Sequence, residues 1–272
     1  LQLIDSHCHL NFQIFQDDRA AVIERAKMAG LSALINPGTS LADSREIVAL
    51  SAAIPELYAA VGVHPNEAGQ LEADTLAQLQ DLAGRPKVVA IGEIGLDYYW
   101  DKTPRSRQQT AFEAQLALAK SANLPVIIHQ REAAADTMAI LRQWAGAGEH
   151  PGLVLHSFSG DRAMAEAALD LGFYLGFAGP LTFKNVRDLP DLVASLPPER
   201  LLVETDAPFL SPHPFRGKRN EPARLRLVVE RMAELQQQSL ASMSRHLTEN
   251  TLALFQGLKI DERRTADAGN RG

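Results

Sequence analysis

The stretch Leu3-Ile4-Asp5-Ser6-His7-Cys8-His9 ends a short apolar run in two histidines, and the same figure recurs along the chain. Val88-Val89-Ala90-Ile91-Gly92-Glu93 ends in a carboxylate. Val126-Ile127-Ile128-His129 and Leu153-Val154-Leu155-His156 end in histidines, and Leu201-Leu202-Val203-Glu204-Thr205-Asp206 ends in an acid. Tyr58-Ala59-Ala60-Val61-Gly62-Val63-His64 adds one more. Short apolar, β-branched runs read as buried parallel strands. Imidazoles and carboxylates at the ends of successive strands meet at one rim of a closed barrel, which is where a metal-dependent active site is built.

Helical patterns fill the intervals. They fall near Asp17–Gly30, Leu41–Ala53, Ala73–Ala83, Arg105–Ala122, Ala133–Trp144, Arg162–Leu171, Asn185–Leu196 and Ala223–Gln236, with a last one near Leu240–Phe255. Strands at Leu31–Asn36 and Phe173–Phe177 complete the alternation, which predicts a (β/α)8 TIM barrel in a single domain over residues 1–260. A doubly wound open sheet would draw its site from two or three strands at one switch point. Here the candidates come from strands spread along the whole chain. The tail 261–272 is polar and charged and is expected to be disordered.

Composition narrows the function. The chain has 272 residues, 46% of them apolar, which suffices for a large core. Its single cysteine excludes an internal disulfide and fits a reducing, cytoplasmic setting. Strand alternation turns Cys8 away from its two histidine neighbours, as a buried filler. No stretch spans a membrane, no secretory leader is expected, and no obligate protein partner is evident. A formal charge of −6 argues against a protein that coats nucleic acid, but not against an enzyme that grips a few phosphates beside bound cations.

His7 and His9, two residues apart on an extended segment, project from one side and can chelate one divalent ion. The two oxygens of Glu93 can bridge two ions. His129 and His156 read as ligands to a second ion. Asp206, beside the first strand in a closed ring, can join His7 and His9 and can also take a proton from an attacking water. Asp97 reads as a supporting or helix-capping acid, and Glu204 as structural. A nitrogen and oxygen donor set suits two divalent ions such as Mg, Mn or Zn.

At these residues the chain resembles the TatD family of metal-dependent deoxyribonucleases, amidohydrolase-like barrels of the metal-dependent hydrolase type. Matching segments include Ile4–Leu10, Val61–Pro65, Ile91–Tyr99, Pro125–Glu132, Leu155–Gly160, Leu202–Leu210 and Arg216–Pro222. The resemblance implies a DNA phosphodiesterase, often a 3′-5′ exonuclease. It implies His7, His9, Glu93 and Asp206 around one metal, and Glu93, His129 and His156 around the other. Glu93 and Asp206 are then the catalytic carboxylates. Two departures stand out: Gln130-Arg131-Glu132 differs from the usual pattern, and Phe209 replaces the usual Tyr. Some members are described as removing D-amino acids from tRNA, so an acyl-bond hydrolase, on D-aminoacyl-tRNA or a small molecule, is the alternative. A metal-binding protein without catalysis is a third reading.

For the DNA substrate, His64, Arg131, Arg216 and Arg219 are the expected contacts. Arg216, Lys218, Arg219, Arg224 and Arg226 concentrate positive charge after the eighth strand, either as a phosphate grip or as a solvated loop. Tyr98, Tyr99 and Trp100 could stack on a base but are read slightly more readily as a cap on the barrel.

Overall fold

Each strand forms where a few consecutive aliphatic residues can be covered on both faces, by the barrel interior on one side and a helical coat on the other. The computed structural model describes residues 1–100 and 102–260; the tail 261–272, expected to be disordered, lies outside the described residues. The strands are β1 (Leu3–Asp5), β2 (Leu31–Pro37), β3 (Leu57–Val61), β4 (Val88–Asp97), β5 (Val126–Arg131), β6 (Leu153–Leu155), β7 (Tyr174–Phe177) and β8 (Leu201–Val203). The coat is α1 (Arg19–Met28), α2 (Leu41–Ala53), α3 (Ala73–Ala83), α4 (Arg105–Ala122), α5 (Ala134–Gly146), α6 (Arg162–Asp170), α7 (Asp188–Ser195) and α8 (Leu225–Leu235), followed by α9 (Leu240–Leu254). Neighbouring strands pair in parallel in sequence order. The ring closes just past the ends of β8 and β1, through Ser6 N–H to Val203 O at 3.2 Å, Asp206 N–H to His7 O at 2.9 Å and His9 N–H to Ala207 O at 2.7 Å. The molecule is a (β/α)8 barrel.

Strand alternation sorts the core into two layers. Ile4, Ile35, Tyr58, Val89, Ile127, Val154 and Leu202 fill the interior with Leu254, Phe255 and Leu258 from the end of α9. That segment closes the end of the barrel where strands begin: Asn250 donates to Leu201 O at 2.9 Å and Thr248 to Gln2 O at 2.7 Å. Leu3, Leu34, Leu57, Ile91, Ile128, Leu155 and Val203 face outward onto the helices. Cys8 is buried within this outer layer. With one end plugged, the opposite rim is left for chemistry. Among the described residues no helix is long and apolar enough to cross a membrane.

The boundaries differ from the sequence reading where they matter most. β4 runs on past Glu93 to Asp97, and β5 past His129 to Arg131, because the two pair through Gly95–His129 and Asp97–Arg131. Their register shifts between Ile91 and Ile94, and Gly95 has φ +140°; a Cβ there would run into the carbonyl oxygen of His129. β1, β3, β6 and β8 instead stop short of His7, His64, His156 and Asp206. Those side chains sit on the first residues of the following loops, where Asp206 (φ 53°) and the neighbour of His156, Ser157 (φ 44°), take left-handed backbone.

Candidate metal centre

Glu93 stands at the middle of the rim with its two oxygens facing different partners. Oε2 lies 3.4 Å from His7 Nε2 and 3.6 Å from His9 Nε2. Oε1 lies 2.8 Å from His129 Nδ1 and 2.9 Å from His156 Nε2. Asp206 Oδ1 completes the first group, 3.7 Å from His7 Nε2 and 3.5 Å from His9 Nε2. The structure thus brings all six expected ligands together, two from the loop after β1, one each from β4 and β5, and one each from the loops after β6 and β8.

The donor set fits divalent cations. Metal–ligand bonds of about 2.0–2.2 Å in a tetrahedral or octahedral shell space adjacent donors about 2.8–3.6 Å apart. His7 Nε2 and His9 Nε2 are 3.1 Å apart, and His129 Nδ1 and His156 Nε2 are 3.4 Å apart. Two neutral imidazoles that aim lone pairs at one another at such distances repel unless a cation or a proton lies between them. Nitrogen and oxygen donors without thiolate suit Zn, Mn, Co or Mg.

Electrostatics supports the same arrangement. Burial alone would raise the Glu93 carboxyl, but His156, His7 and His129 outweigh it and hold it well below the usual carboxylate range. Burial would lower His156, yet Glu93 and Glu204 hold it well above the ordinary imidazole value. His7 is lowered by burial and by His156 beside it, whose ring stacks on it at 4.0 Å. A cation would take the place of protons that these carboxylates otherwise keep on the imidazoles.

Supporting groups hold the ligands in place. Asp97 Oδ2 lies 3.1 Å from His129 Nε2, which leaves Nδ1 turned to Glu93; Asp97 Oδ1 accepts from the backbone N–H of Tyr99 at 3.0 Å and of Trp100 at 3.2 Å. One acid therefore orients a ligand and caps a turn. Burial works against the Asp97 charge, but His129 brings its carboxyl down to about 2. Glu204, structural only by the sequence reading, does more. It is wholly buried, accepts from Ser157 N–H, and stands 3.5 Å from His156 Nδ1, so it also orients a ligand. Alternation carries a signal for this, since Glu204 and Asp206, like His7 and His9, lie two apart and share one side of an extended segment.

His64 approaches without joining the donor set. The Asn66 N–H donates to its Nδ1 at 3.1 Å, so the ring proton sits on Nε2, 3.7 Å from Glu93 Oε1. Burial and His129 push this imidazole down to about 3, and it is neutral. It therefore offers a hydrogen-bond donor, not a lone pair.

A cleft of about 1470 Å³ opens over these groups. Arg131 lines it, with its guanidinium 3.8 Å above the Tyr99 ring. Tyr99 and Trp100 do not cap the barrel: they are 48% and 53% exposed, and only Tyr98 turns back, donating to Asp136 at 2.7 Å. The basic loop after β8 is mostly occupied elsewhere. Arg219 binds Asp18 through both terminal nitrogens, at 2.9 and 2.7 Å, and Ile14 O at 2.8 Å. Arg224 holds Ser211, and Arg226 pairs with Glu230. Arg216 bonds Asn185 at 3.1 Å and covers Phe183, reaching the lining only through Asn185. The cations that do line the cleft with Arg131 are Lys102, Arg162 and Arg187. They come from separate segments, the loop before α4, the first residue of α6 and the residue before α7, so no local cluster in the sequence announces them.

A (β/α)8 barrel that converges imidazoles and carboxylates on this rim has the build of a metal-dependent hydrolase. The family model for TatD-related DNases matches residues 4–256, and the chain belongs to that family. It is 42% identical over 253 residues to the metal-dependent hydrolase YabD of Bacillus subtilis (strain 168), covering 93% of this chain and 98% of the relative. It is 40% identical over 255 residues to the 3′-5′ ssDNA/RNA exonuclease TatD of Edwardsiella piscicida, covering 91% and 96%. The crystal structure of YjjV, a TatD homologue from Escherichia coli K12, superposes with a TM-score of 0.88 at 36% identity, covering 93% and 98%.

Proposed function

We propose that the protein hydrolyses phosphodiester bonds in DNA, trimming strands from the 3′ end with a pair of divalent ions. One observation carries the two-ion reading: Glu93 presents one oxygen to His7 and His9 and the other to His129 and His156. The DNA reading is supported by family membership and by the exonuclease name of a relative; Lys102, Arg131, Arg162 and Arg187 supply cations to a cleft lining that also carries acids. When bound, the ions supply Lewis-acid polarisation of a phosphoryl oxygen and activation of water.

The protein's own groups do the rest. Asp206 binds beside His7 and His9 and accepts the proton of the attacking water; its carboxylate is the more exposed acid of the cluster, at 13% against 4% for Glu93. Burial works against its charge, but His9 and His7 hold it below the usual carboxylate value, so it enters the reaction ionised. His64 donates from Nε2 to an oxygen of the bound phosphate. Arg131 takes a neighbouring phosphate by charge-assisted hydrogen bonds.

The test is cleavage of end-labelled single-stranded DNA, duplex DNA, RNA and D-aminoacyl-tRNA with a panel of Mg, Mn, Co and Zn. Stepwise loss of 3′ nucleotides supports the reading. Release of the amino acid from tRNA with every oligonucleotide intact would replace it with the acyl-bond alternative.

A further inference from the structure

We infer that Tyr99, Trp100 and Arg131 form a stacking platform for one unpaired nucleobase of the substrate strand, with Arg131 and Lys102 set to take its phosphate. The inference rests on the nuclease reading above and adds a base subsite to it. Tyr99 and Trp100 are consecutive large side chains left half exposed, and packing gives no reason for that. Their rings meet edge to face, 5.0 Å apart at 87°. The Arg131 guanidinium already lies on the Tyr99 face, at 3.8 Å, and 5.5 Å from the Trp100 ring. Trp100 is 53% exposed, so the indole surface that Arg131 and Lys102 leave uncovered and the outer face of the guanidinium are the planes offered to a base. A guanidinium stacked by its face keeps its N–H edges in plane for a phosphate. The Lys102 ammonium stands over the Trp100 ring, 6.0 Å from its centre, and both side chains line the cleft.

The platform is fixed to the metal centre. Asp97 bonds the backbone of Tyr99 and Trp100 with one oxygen and contacts His129 with the other. Arg131 is two residues beyond His129 on β5, in register with Asp97. Four residues of extended chain from Glu93 to Asp97 cover roughly 13 Å. The base taken here belongs to a nucleotide beside the scissile phosphate, not to the reacting group. A base must leave its duplex stack to lie on an indole, so the platform favours unpaired ends.

Trp100 supplies its own readout. The chain has two tryptophans, and the other, Trp144, is buried with its Nε1–H bonded to Leu116 O at 3.0 Å. Metal-loaded protein is titrated with a phosphorothioate oligothymidylate, and with versions carrying one abasic residue at each position in turn. Quenching of the exposed indole is expected, with loss of the quench and roughly 5- to 100-fold weaker binding when one particular base is absent. In a Tyr99→Ala/Trp100→Ala variant, removing that same base should cost less than about twofold. Trp100→Phe should keep the base dependence while abolishing the quench. Melting temperature and metal content, measured alongside, establish that each variant is folded and loaded. Tight binding and cleavage with no position-dependent base effect, or the same effect in parent and double variant, overturn the platform alone. Failure of every oligonucleotide to bind or to be cleaved overturns the nuclease reading as well.

Discussion

At the scale of single residues, Glu93 carries the most. Its buried carboxylate turns one oxygen to each half of the cluster. Glu93→Ala should therefore lower occupancy of both ion positions and abolish hydrolysis, read by elemental analysis after dialysis against metal; full occupancy of both would remove the bridging role. Asp97 acts one step back, through His129. Asp97→Asn keeps the shape but weakens the hold on that imidazole, and should reduce metal affinity about 10- to 100-fold. The imidazoles also set a pH dependence. Carboxylates hold His156 and His129 above the ordinary value in the metal-free protein, so protons compete with the cation for those rings. Metal affinity should rise with pH and binding should release protons, which calorimetry in buffers of different ionisation enthalpy measures; proton uptake would contradict it. The sign for the metal-free fold is opposite. A raised folded-state imidazole value stabilises below about 6.5, and that contribution is lost as pH rises through the folded value.

At the scale of elements, the strand-end pattern made the barrel legible, and it made the cluster legible because each candidate followed a recognisable aliphatic run. Local pattern cannot reveal what lies far away in sequence. Arg219 looks like a free cation in a basic loop, yet it is held by Asp18 at the start of the chain's first helix. Glu204, two residues before Asp206, shares its side of the extended segment by alternation, so its reading as merely structural overlooks a signal the sequence carries. The support for Glu204 also comes from another strand. Gly176, on β7, leaves the room that its carboxylate occupies: a Cβ there would lie 2.7 Å from Glu204 Oε2. That oxygen cannot swing away cheaply, since Glu204 is wholly buried and also accepts from Ser157 and Ser6. Gly176→Ala should destabilise the protein by about 1–3 kcal/mol and weaken metal binding through His156. An unchanged denaturation midpoint together with unchanged metal affinity would show that the cradle has slack.

At the scale of the whole molecule, the balance of charge decides how a polyanion is held. A chain of net charge −6 repels DNA at long range, so binding depends on the bound cations and on the few positive side chains that face the cleft. The structure separates two arginines that look alike in the sequence. Arg131 lines the cleft on an aromatic face, whereas Arg219 is engaged by Asp18 and Ile14. For single strands, each side chain that neutralises a phosphate contributes about 0.7 to the slope of log affinity against log salt. Arg131→Ala should therefore bind single-stranded DNA more weakly at low salt and with a shallower slope, at unchanged metal content. Arg219→Ala should leave that slope alone. It should instead loosen the tie between the β8 loop and α1, by roughly 0–1 kcal/mol for a pair this open to solvent. Affinity measured over a salt series, with thermal melts of both variants, distinguishes the two roles. A shallower slope in Arg219→Ala and a parental one in Arg131→Ala would exchange the assignments, moving the phosphate grip from the aromatic wall of the cleft to the loop after β8.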